Sequence, residues 1–411
     1  MKQSTYIAFY ILVIIIIFNL NGMLFMLVGV EQLMTPLMIL CIAVLALNLY
    51  PKFMKGLGTL GQIYASVILA YLLIGFIASI NSGGELKISY MVTNAISLVT
   101  IMCIAAFTFA YFIEHGRTFV NIIFYIVLIS TSSIPFSPLL LLIYKIPPAE
   151  IARGFGFFAN PNEAGIMSVI GLGLLIAVKI PGYLKVIFYF ILLANCVLTF
   201  SKSSILLFTL VSLVVFITSD FKIKFKYSFI IVGAFIVASY SIPTYYENLE
   251  GVQKRRIDQV MAIAFGGEIN ADTTSSRSEL WVIGLQKINQ HVLLGNGLGE
   301  LHNMKGGIIH AGVWQGVHNV FLMLWGEAGV FVLLGFLFFC CSYLFSWFIM
   351  RKVMPRELLI FTLVSFICLL MDMMSGHGVL NLRMHNLFLG LSFGCFAYYN
   401  HLSKKERLLH R

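Results

Sequence analysis

The residues best suited to chemistry lie in a polar stretch, residues 275–329, of an otherwise apolar chain. Ser276 and Glu279 have the spacing of a capping box, which predicts a helix that runs to about Gln290. Arg277 falls in its first turn, where the helix dipole disfavours a cation by up to about 1 kcal/mol. A bound phosphate would offset this penalty, because the guanidinium group binds phosphate oxygens in a bidentate way. The alternative is a solvated arginine or an ion pair with a nearby carboxylate.

The same helix carries apolar side chains at helical spacing, namely Leu280, Trp281, Leu285 and Ile288. Such a stripe is typical of a helix that lies on a membrane surface. Trp281 is therefore a candidate for contact with a membrane-borne substrate.

A histidine stands at the mouth of the next apolar helix. His318 is followed by Asn319 and then by a long apolar run, with Glu327 nine residues further along. Histidine takes a proton from a hydroxyl group near neutral pH, so His318 is the candidate general base. The assignment of the base stays open, because Glu163 or Glu327 could share this role. Asn319 and Glu327 are also candidate substrate contacts. The competing interpretation is an interfacial histidine that only caps the helix.

The sequence GNGLGE, residues 295–300, has only a superficial similarity to a dinucleotide-binding loop, because no strand precedes it. It predicts a tight turn that returns the chain toward the membrane. The nearby histidines, His291, His302, His310 and His318, lack the matched spacing of a zinc site. We therefore expect no metal and no cofactor.

A second polar stretch, IARGFGFFANPNEAG, occupies residues 151–165. Pro161 and the residues after it predict a turn and a helix N-cap, with Glu163 favourably placed against the helix dipole. Arg153 lies among glycines and phenylalanines at the level of the lipid headgroups. It is a candidate phosphate ligand, and Asn160 and Glu163 are candidate substrate contacts. The alternative for Arg153 is a simple anchor to lipid headgroups.

Further charged residues form a second tier of candidates. Lys202, in the turn FSKSS, can add positive charge to an anion site. Asp372 lies inside an apolar span, where a carboxylate is expensive to bury and is a functional candidate by default. The turn SGHGVLNLRMHN adds His377, Arg383 and His385.

The composition identifies the elements that must position these residues. The chain is 60% hydrophobic and 11% charged, and apolar runs of near-membrane length recur along it. This excludes a soluble domain and predicts an all-α polytopic membrane protein with about 12 transmembrane helices. The seven cysteines fall inside apolar spans and are expected to be core residues. The net charge of +10 lies mostly in short alternating loops, which indicates membrane orientation and no nucleic-acid partner.

The expected spans are residues 6–27, 33–50, 57–80, 90–112, 119–144, 164–178, 183–200, 204–219, 227–242, 318–345, 358–374 and 387–399. The first is too long for a removable signal, so we expect it to remain as a transmembrane helix. The fifth contains two prolines and several hydroxyl groups in residues 130–138, which predicts a kink packed against protein or a wet cavity.

Basic residues orient this arrangement. Placing both termini in the cytoplasm puts sixteen lysines and arginines on the cytoplasmic side. The opposite side then carries five outside its long loop: Lys87, Lys145, Arg153, Lys202 and Arg383. We expect one transmembrane domain, residues 1–411, with two functional loops on that opposite side, residues 145–163 and 243–317.

Four of these motifs, taken in order, resemble a known family. RGFGFFANPNEAG, SRSELW before an amphipathic helix, GNGLGE and a final HN opening an apolar helix resemble the O-antigen polymerase and O-antigen ligase superfamily of bacterial envelope glycosyltransferases. The resemblance covers residues 151–345. It implies a periplasmic site in the bacterial inner membrane and a substrate oligosaccharide linked to undecaprenyl pyrophosphate, with a chain-length regulator and a flippase as further partners.

The resemblance also implies roles for particular residues. Arg153 and Arg277 would hold the pyrophosphate, and His318 would assist the acceptor hydroxyl. Lys202 stands where such proteins often have arginine, so it departs from the pattern. The implied activity is an O-antigen polymerase that joins a lipid-linked glycan to a lipid-linked repeat unit with inversion. The alternatives are a ligase that transfers the glycan to lipid A core and, from another class, a polytopic transporter or flippase.

Overall fold

The computed structural model describes most of the chain. The described residues are 1–28, 33–82, 87–144, 153–158, 160–218, 251, 254, 258, 275–302, 304, 309–310, 313–314, 316–374, 376, 380 and 383–409. Within them lie α1 (Gln3–Ile17), α2 (Leu20–Val28), α3 (Thr35–Leu49), α4 (Phe53–Asn81), α5 (Ile88–His115), α6 (Thr118–Thr131), α7 (Ser137–Tyr144), α8 (Pro161–Ala177), α9 (Gly182–Leu198), α10 (Lys202–Thr218), α11 (Ser275–Ile288), α12 (Val320–Ala328), α13 (Val330–Met350), α14 (Arg356–Met373) and α15 (Arg383–Leu409). Two short strands, β1 (Ile309–His310) and β2 (Val313–Trp314), pair antiparallel.

Apolar helices dominate the fold, as expected for a multi-pass membrane protein. Among the described residues, four helical stretches are long and apolar enough to cross a membrane: Thr35–Asn81, Ile88–His115, Thr118–Leu140 and Val330–Met350. Shorter apolar helices accompany them, including α1, α8 and α9. The count of twelve spans is not confirmed, and the ninth expected span, residues 227–242, lies outside the described residues.

Several expected spans differ in detail from the observed helices. The first, expected as one helix, is divided into α1 and α2 at Asn19, whose φ is +46°. The tenth is divided into α12 and α13 at Gly329, whose φ is +82°. There the backbone of Leu293 lies directly against Gly329, and Val330 N donates to Val292 O at 3.1 Å. A returning loop therefore interrupts a run that is continuous in hydropathy.

In two other spans, the local sequence explains where the helix ends. The kink expected in the fifth span is confirmed, because α6 ends at Thr131 and a 3₁₀ turn (Ile134–Phe136) leads into α7. The last helix, α15, is longer than expected. It continues through the polar residues after Tyr399 to Leu409, because these residues are good helix formers outside the apolar run.

The helices form two compact units. Unit 1 contains residues 1–17, 34–123 and 271–411, and unit 2 contains residues 18–33 and 124–270. In unit 1, α5 packs closely against α15 and α4, and small residues allow the close approach. Gly394 of α15 lies on Thr108 of α5, and Gly56 of α4 lies on the backbone of Ala106. In unit 2, α8 packs against α9 and α10.

The α4–α5 contact predicts a difference between two glycine substitutions. A Cβ at Gly56 would lie 2.7 Å from Ala106 N, so Gly56→Ala is expected to destabilise the protein by about 1–3 kcal/mol through overpacking. A Cβ at Gly335 of α13 would meet only Val67 Cγ2, at 3.5 Å. Gly335→Ala is therefore expected to be neutral or slightly stabilising, because alanine is the better helix former. Thermal unfolding of the two variants in detergent measures the difference, and equal melting temperatures would contradict this packing.

Candidate functional site

The GNGLGE turn forms a loop, residues 295–300, that we call the glycine loop. It lies on the end of α12, where Asn296 N donates to Gly326 O at 2.7 Å and Gly297 N donates to Glu327 O at 3.0 Å. The Asn296 side chain adds a bond from Nδ2 to Gly326 O at 3.0 Å. The tight turn that the sequence predicts is confirmed, and its backbone groups are satisfied by a neighbouring helix end.

The glycine loop needs its glycines. Gly295, Gly297 and Gly299 have φ values of +81°, +108° and +76°, a region that favours glycine. A Cβ at Gly297 would also lie 2.7 Å from the Ser79 Cα atom of α4. Ser79 Oγ in turn accepts a hydrogen bond from Leu298 N at 3.0 Å. The loop is thus fixed between α4 and α12.

Glu327 of α12 is fully buried and binds the same loop. Its Oε2 accepts from the Tyr71 hydroxyl at 2.6 Å, and its Oε1 accepts from Leu301 N at 3.1 Å. The Tyr71 hydroxyl is also 3.2 Å from the Tyr90 hydroxyl. A buried carboxylate is stable only when its oxygens are paired, so these contacts explain how an acidic residue is accommodated here. They assign Glu327 to holding the loop, and its substrate contact stays a prediction.

A lysine–glutamate cluster ties α5 and α11 to the glycine loop. Glu300 Oε2 is 2.7 Å from Lys287 Nζ of α11, and Glu300 Oε1 is 3.3 Å from Lys87 Nζ, just before α5. Lys87 Nζ also donates to Gly299 O at 2.8 Å. Burial alone would raise the pKa of Glu300, but the two ammonium groups outweigh it and hold that pKa below its usual value. The cluster therefore fixes the end of the helix that carries Arg277.

The amphipathic helix predicted around Arg277 is confirmed as α11. Leu280 and Ile288 are buried, whereas Trp281 and Leu285 are 37% and 40% exposed. The four apolar residues expected to form one stripe therefore divide between an inner and an outer face. Leu280, Gly284 and Ile288 follow one another at intervals of four residues and therefore share the inner face, where Gly284 lies against Val317. The side chain of Arg277 lies outside the described residues.

His318 stands immediately before α12 in an uncommon backbone conformation. Its φ is +48°, in the left-handed region, where few residues other than glycine are found and histidine is among the more tolerant. Asn319 is the N-cap, and its Oδ1 accepts from Phe321 N at 3.0 Å and Leu322 N at 3.2 Å. The interpretation of His318 as the cap is therefore wrong, because Asn319 fills that position. Strained backbone of this kind is typical of functional sites.

In unit 2, Arg153 is held by backbone and side-chain oxygens. Its Nε donates to Thr199 O at 2.9 Å, and its Nη2 donates to Asn162 Oδ1 at 2.9 Å. Gly154 N donates to Leu198 O at 2.9 Å. The guanidinium group is thereby fixed between the first turn of α8 and the residues that precede α10.

The start of α8 contains a reciprocal cap. Asn160 Oδ1 accepts from Asn162 N at 2.9 Å and from Glu163 N at 3.0 Å, and Asn160 Nδ2 donates to Glu163 Oε1 at 2.8 Å. The N-cap predicted around Pro161 is thus Asn160, with Pro161 as the first helical residue. Glu163 is engaged in this cap, and its role as a base stays a prediction.

The helix starts of α8 and α10 lie side by side. Gly165, at the beginning of the second turn of α8, faces the Ser204 side chain in the first turn of α10. Ser204 Oγ is 2.9 Å from Ser201 Oγ, and Lys202 is the first residue of α10. Helix N-termini attract anions, because the helix dipole presents positive charge there. In α8 this contribution comes from the dipole alone, since Asn160 already binds the N–H groups of Asn162 and Glu163. Together with Arg153, they make this end of unit 2 suitable for a phosphate group.

Sequence reasoning did not find the residues that hold the Arg153 loop. Ser137 Oγ accepts from both Phe155 N and Gly156 N at 2.9 Å, and Ser133 Oγ accepts from Phe157 N at 3.0 Å. Both serines lie at the proline kink after α6. The available signal was the concentration of hydroxyl groups beside a predicted break in an apolar span.

The described residues therefore group the candidates by unit. Unit 1 contains Trp281, His318, Asn319, Glu327 and the Arg277 backbone. Unit 2 contains Arg153, Asn160, Glu163 and Lys202. Of the second tier, His385 Nε2 is 2.8 Å from Asp372 Oδ2, a pair that the sequence did not predict. His377 and the Arg383 side chain lie outside the described residues.

The lysine–glutamate cluster predicts a pH-dependent stability effect. Because the folded-state pKa of Glu300 lies below the usual value of 4.5, its contribution to stability is fully present above about pH 4.5 and is lost as the pH falls through the folded-state pKa. Glu300→Gln is expected to lower stability by about 1 kcal/mol at neutral pH, and the deficit should shrink below about pH 4.5. Thermal unfolding as a function of pH measures this.

Glu357→Gln is the matched control. Its carboxylate is 53% exposed and 3.9 Å from Arg117 Nη1, so little change is expected at any pH. Equal losses in the two variants, or a Glu300→Gln deficit that persists unchanged in acid, would contradict the role of the cluster.

Comparison with known families agrees with the resemblance noted in the sequence. Residues 187–337 match the family model described as O-antigen ligase. The matched segment includes Lys202, Arg277 and His318, whereas Arg153 lies before it. No curated protein is significantly similar to the chain. For this multi-pass membrane protein, the match over residues 187–337 supports a relationship to the O-antigen polymerase and ligase superfamily and a function in the polymerase or ligase class.

Proposed function

We propose that the protein is an O-antigen polymerase, an inverting glycosyltransferase of the bacterial inner membrane. It joins a glycan carried on undecaprenyl pyrophosphate to a second lipid-linked repeat unit at the periplasmic face, with both termini in the cytoplasm. The observation that carries the proposal is the family match over residues 187–337, which contains Arg277 and His318. A chain-length regulator and a flippase in the same membrane are the further partners we propose.

The donor requires a site for a pyrophosphate group. Arg153 is held rigidly by Thr199 O and Asn162 Oδ1, beside the adjacent starts of α8 and α10. A guanidinium group fixed in this way stabilises the charge that develops on the leaving pyrophosphate without having to reorganise. Lys202 adds charge at the start of α10. Arg277 in α11 is the second arginine that we assign to the donor.

The acceptor requires a base. The acceptor hydroxyl oxygen attacks the anomeric carbon of the donor, and the bond from that carbon to the pyrophosphate oxygen breaks. His318 takes the hydroxyl proton, and undecaprenyl pyrophosphate leaves with the bonding electron pair. The position of His318 directly before the capped start of α12 supports this role. A general base must first lie within reach of the proton that it takes, and only then does its pKa decide the rate. Trp281 and Asn319 are the substrate contacts that we propose beside it.

Two alternatives remain distinct in their products. A ligase would transfer the completed glycan to lipid A core, and a transporter or flippase would leave chain length unchanged. The lipopolysaccharide of a deletion strain separates the polymerase from the ligase. One repeat unit on the core indicates a lost polymerase, and a core without any repeat unit indicates a lost ligase.

Substitutions in this strain test the residues. Plasmid-borne wild-type protein should restore the full ladder, whereas Arg153→Ala, Arg277→Ala and His318→Ala should each reduce polymerisation about 10²-fold or more. Arg153→Lys should remain impaired, because lysine cannot make the two directed bonds of the guanidinium group. Gel analysis of lipopolysaccharide, with immunoblotting for protein level, measures the outcome.

Arg356→Ala is the matched control. Arg356 is exposed at the start of α14 and is expected on the cytoplasmic side, so its loss should leave the ladder unchanged. A full ladder from Arg277→Ala and His318→Ala at normal protein level would overturn the enzyme proposal.

A further inference from the structure

His302 lies two residues after the end of the glycine loop, and backbone contacts bring it next to His318. Val317 N donates to Leu301 O at 3.0 Å, which pairs the residue before His318 with the residue before His302. Gly316 lies directly on the His302 carbonyl group, where any Cβ would clash. The two histidines are sixteen positions apart in sequence, but they lie on neighbouring backbone segments with a fixed register.

The His302 side chain is packed against α5. Its ring centroid is 5.5 Å from that of Tyr90, with the planes tilted by 54°. The Tyr90 hydroxyl is 3.2 Å from the Tyr71 hydroxyl, which binds Glu327 of α12. Tyr90, against which His302 packs, is therefore linked through Tyr71 to the same buried carboxylate that holds the glycine loop.

The charges around His302 favour a neutral imidazole. Among the described residues, the titratable or charged groups near it are Lys87 just before α5, Tyr90 in α5, His318, and Glu300 in the glycine loop. Partial burial, then Lys87, then His318 lower the pKa of His302 below its usual value. A neutral imidazole has one donor and one acceptor nitrogen, which matches a sugar hydroxyl group.

We propose that His302 is a second histidine of the acceptor site, and that it binds a hydroxyl group of the acceptor sugar beside the hydroxyl that His318 deprotonates. This inference rests on the proposed glycosyltransferase function. One proton passes from the nucleophilic hydroxyl to His318, and His302 keeps its own proton count throughout. Both imidazoles must be neutral, His318 to take the proton and His302 to accept a hydrogen bond.

The requirement for two neutral histidines gives a measurable signature. If both must be deprotonated, the logarithm of the rate falls on the acid side with a slope that approaches about 2. Removing one titrating group lowers that slope to about 1. A histidine that merely packs against Tyr90 would leave the slope unchanged when it is replaced.

Two substitutions separate hydrogen bonding from packing. His302→Gln keeps a donor and an acceptor but does not titrate, whereas His302→Phe keeps a ring against Tyr90 but has no polar atoms. We expect His302→Gln to retain roughly a tenth of the rate or more, and His302→Phe to lose roughly 10²-fold. Thermal unfolding of both variants reports whether the fold is intact.

The assay uses the full chain in proteoliposomes, with lipid-linked repeat units extracted from the deletion strain as the probe. Initial rates are measured from about pH 5 to about pH 9 for wild type, His302→Gln, His302→Phe and His318→Ala. The inference predicts a steep acid limb for wild type and a shallower one for His302→Gln. An identical acid limb in the two, or a wild-type rate for His302→Phe, overturns it.

The same experiment distinguishes this inference from the function on which it rests. An active wild type with an inactive His318→Ala supports the glycosyltransferase, whatever the His302 variants do. An active His318→Ala, or a wild type that extends no repeat unit, rejects the proposed function and this inference with it.

Discussion

The buried carboxylate of Glu327 is the contact on which the functional part of unit 1 depends. It lies at the end of an apolar helix and binds a tyrosine from α4 and the backbone of Leu301. Because an unpaired carboxylate in such surroundings is very unfavourable, these partners must stay in place. The glycine loop is thereby fixed, and through it Glu300 fixes α11 and Leu301 fixes the segment before His318.

In unit 2, serine hydroxyl groups fix a functional loop, as the Glu327 carboxylate does in unit 1. Irregular backbone is stable in a membrane protein only where its N–H and C=O groups find partners. Ser133 and Ser137 lie at the proline kink after α6. Their hydroxyl groups accept hydrogen bonds from backbone N–H groups of the loop that carries Arg153. Hydrogen bonds from the Arg153 guanidinium group to Thr199 O and Asn162 Oδ1 then orient its side chain. In both units, a candidate functional residue sits on a loop that polar contacts hold to apolar helices.

Local sequence predicted the elements of this arrangement well. Apolar length predicted the long helices, the prolines predicted the kink after α6, and three glycines predicted the tight turn at residues 295–300. The partners across the fold were not predictable. Tyr71 and Glu327 are 256 positions apart, and their pairing depends on helix packing that no local pattern encodes. The break at Gly329 was missed for the same reason, because hydropathy does not reveal a loop inserted between two helices.

The central claim is that this protein lengthens a glycan that is still attached to its lipid carrier. The most direct measurement incubates purified protein with lipid-linked repeat units alone and analyses the lipid-linked products by mass spectrometry. The account predicts chains of two and more repeat units with release of undecaprenyl pyrophosphate. The absence of extension, with transfer only when lipid A core is added, would contradict it and identify a ligase.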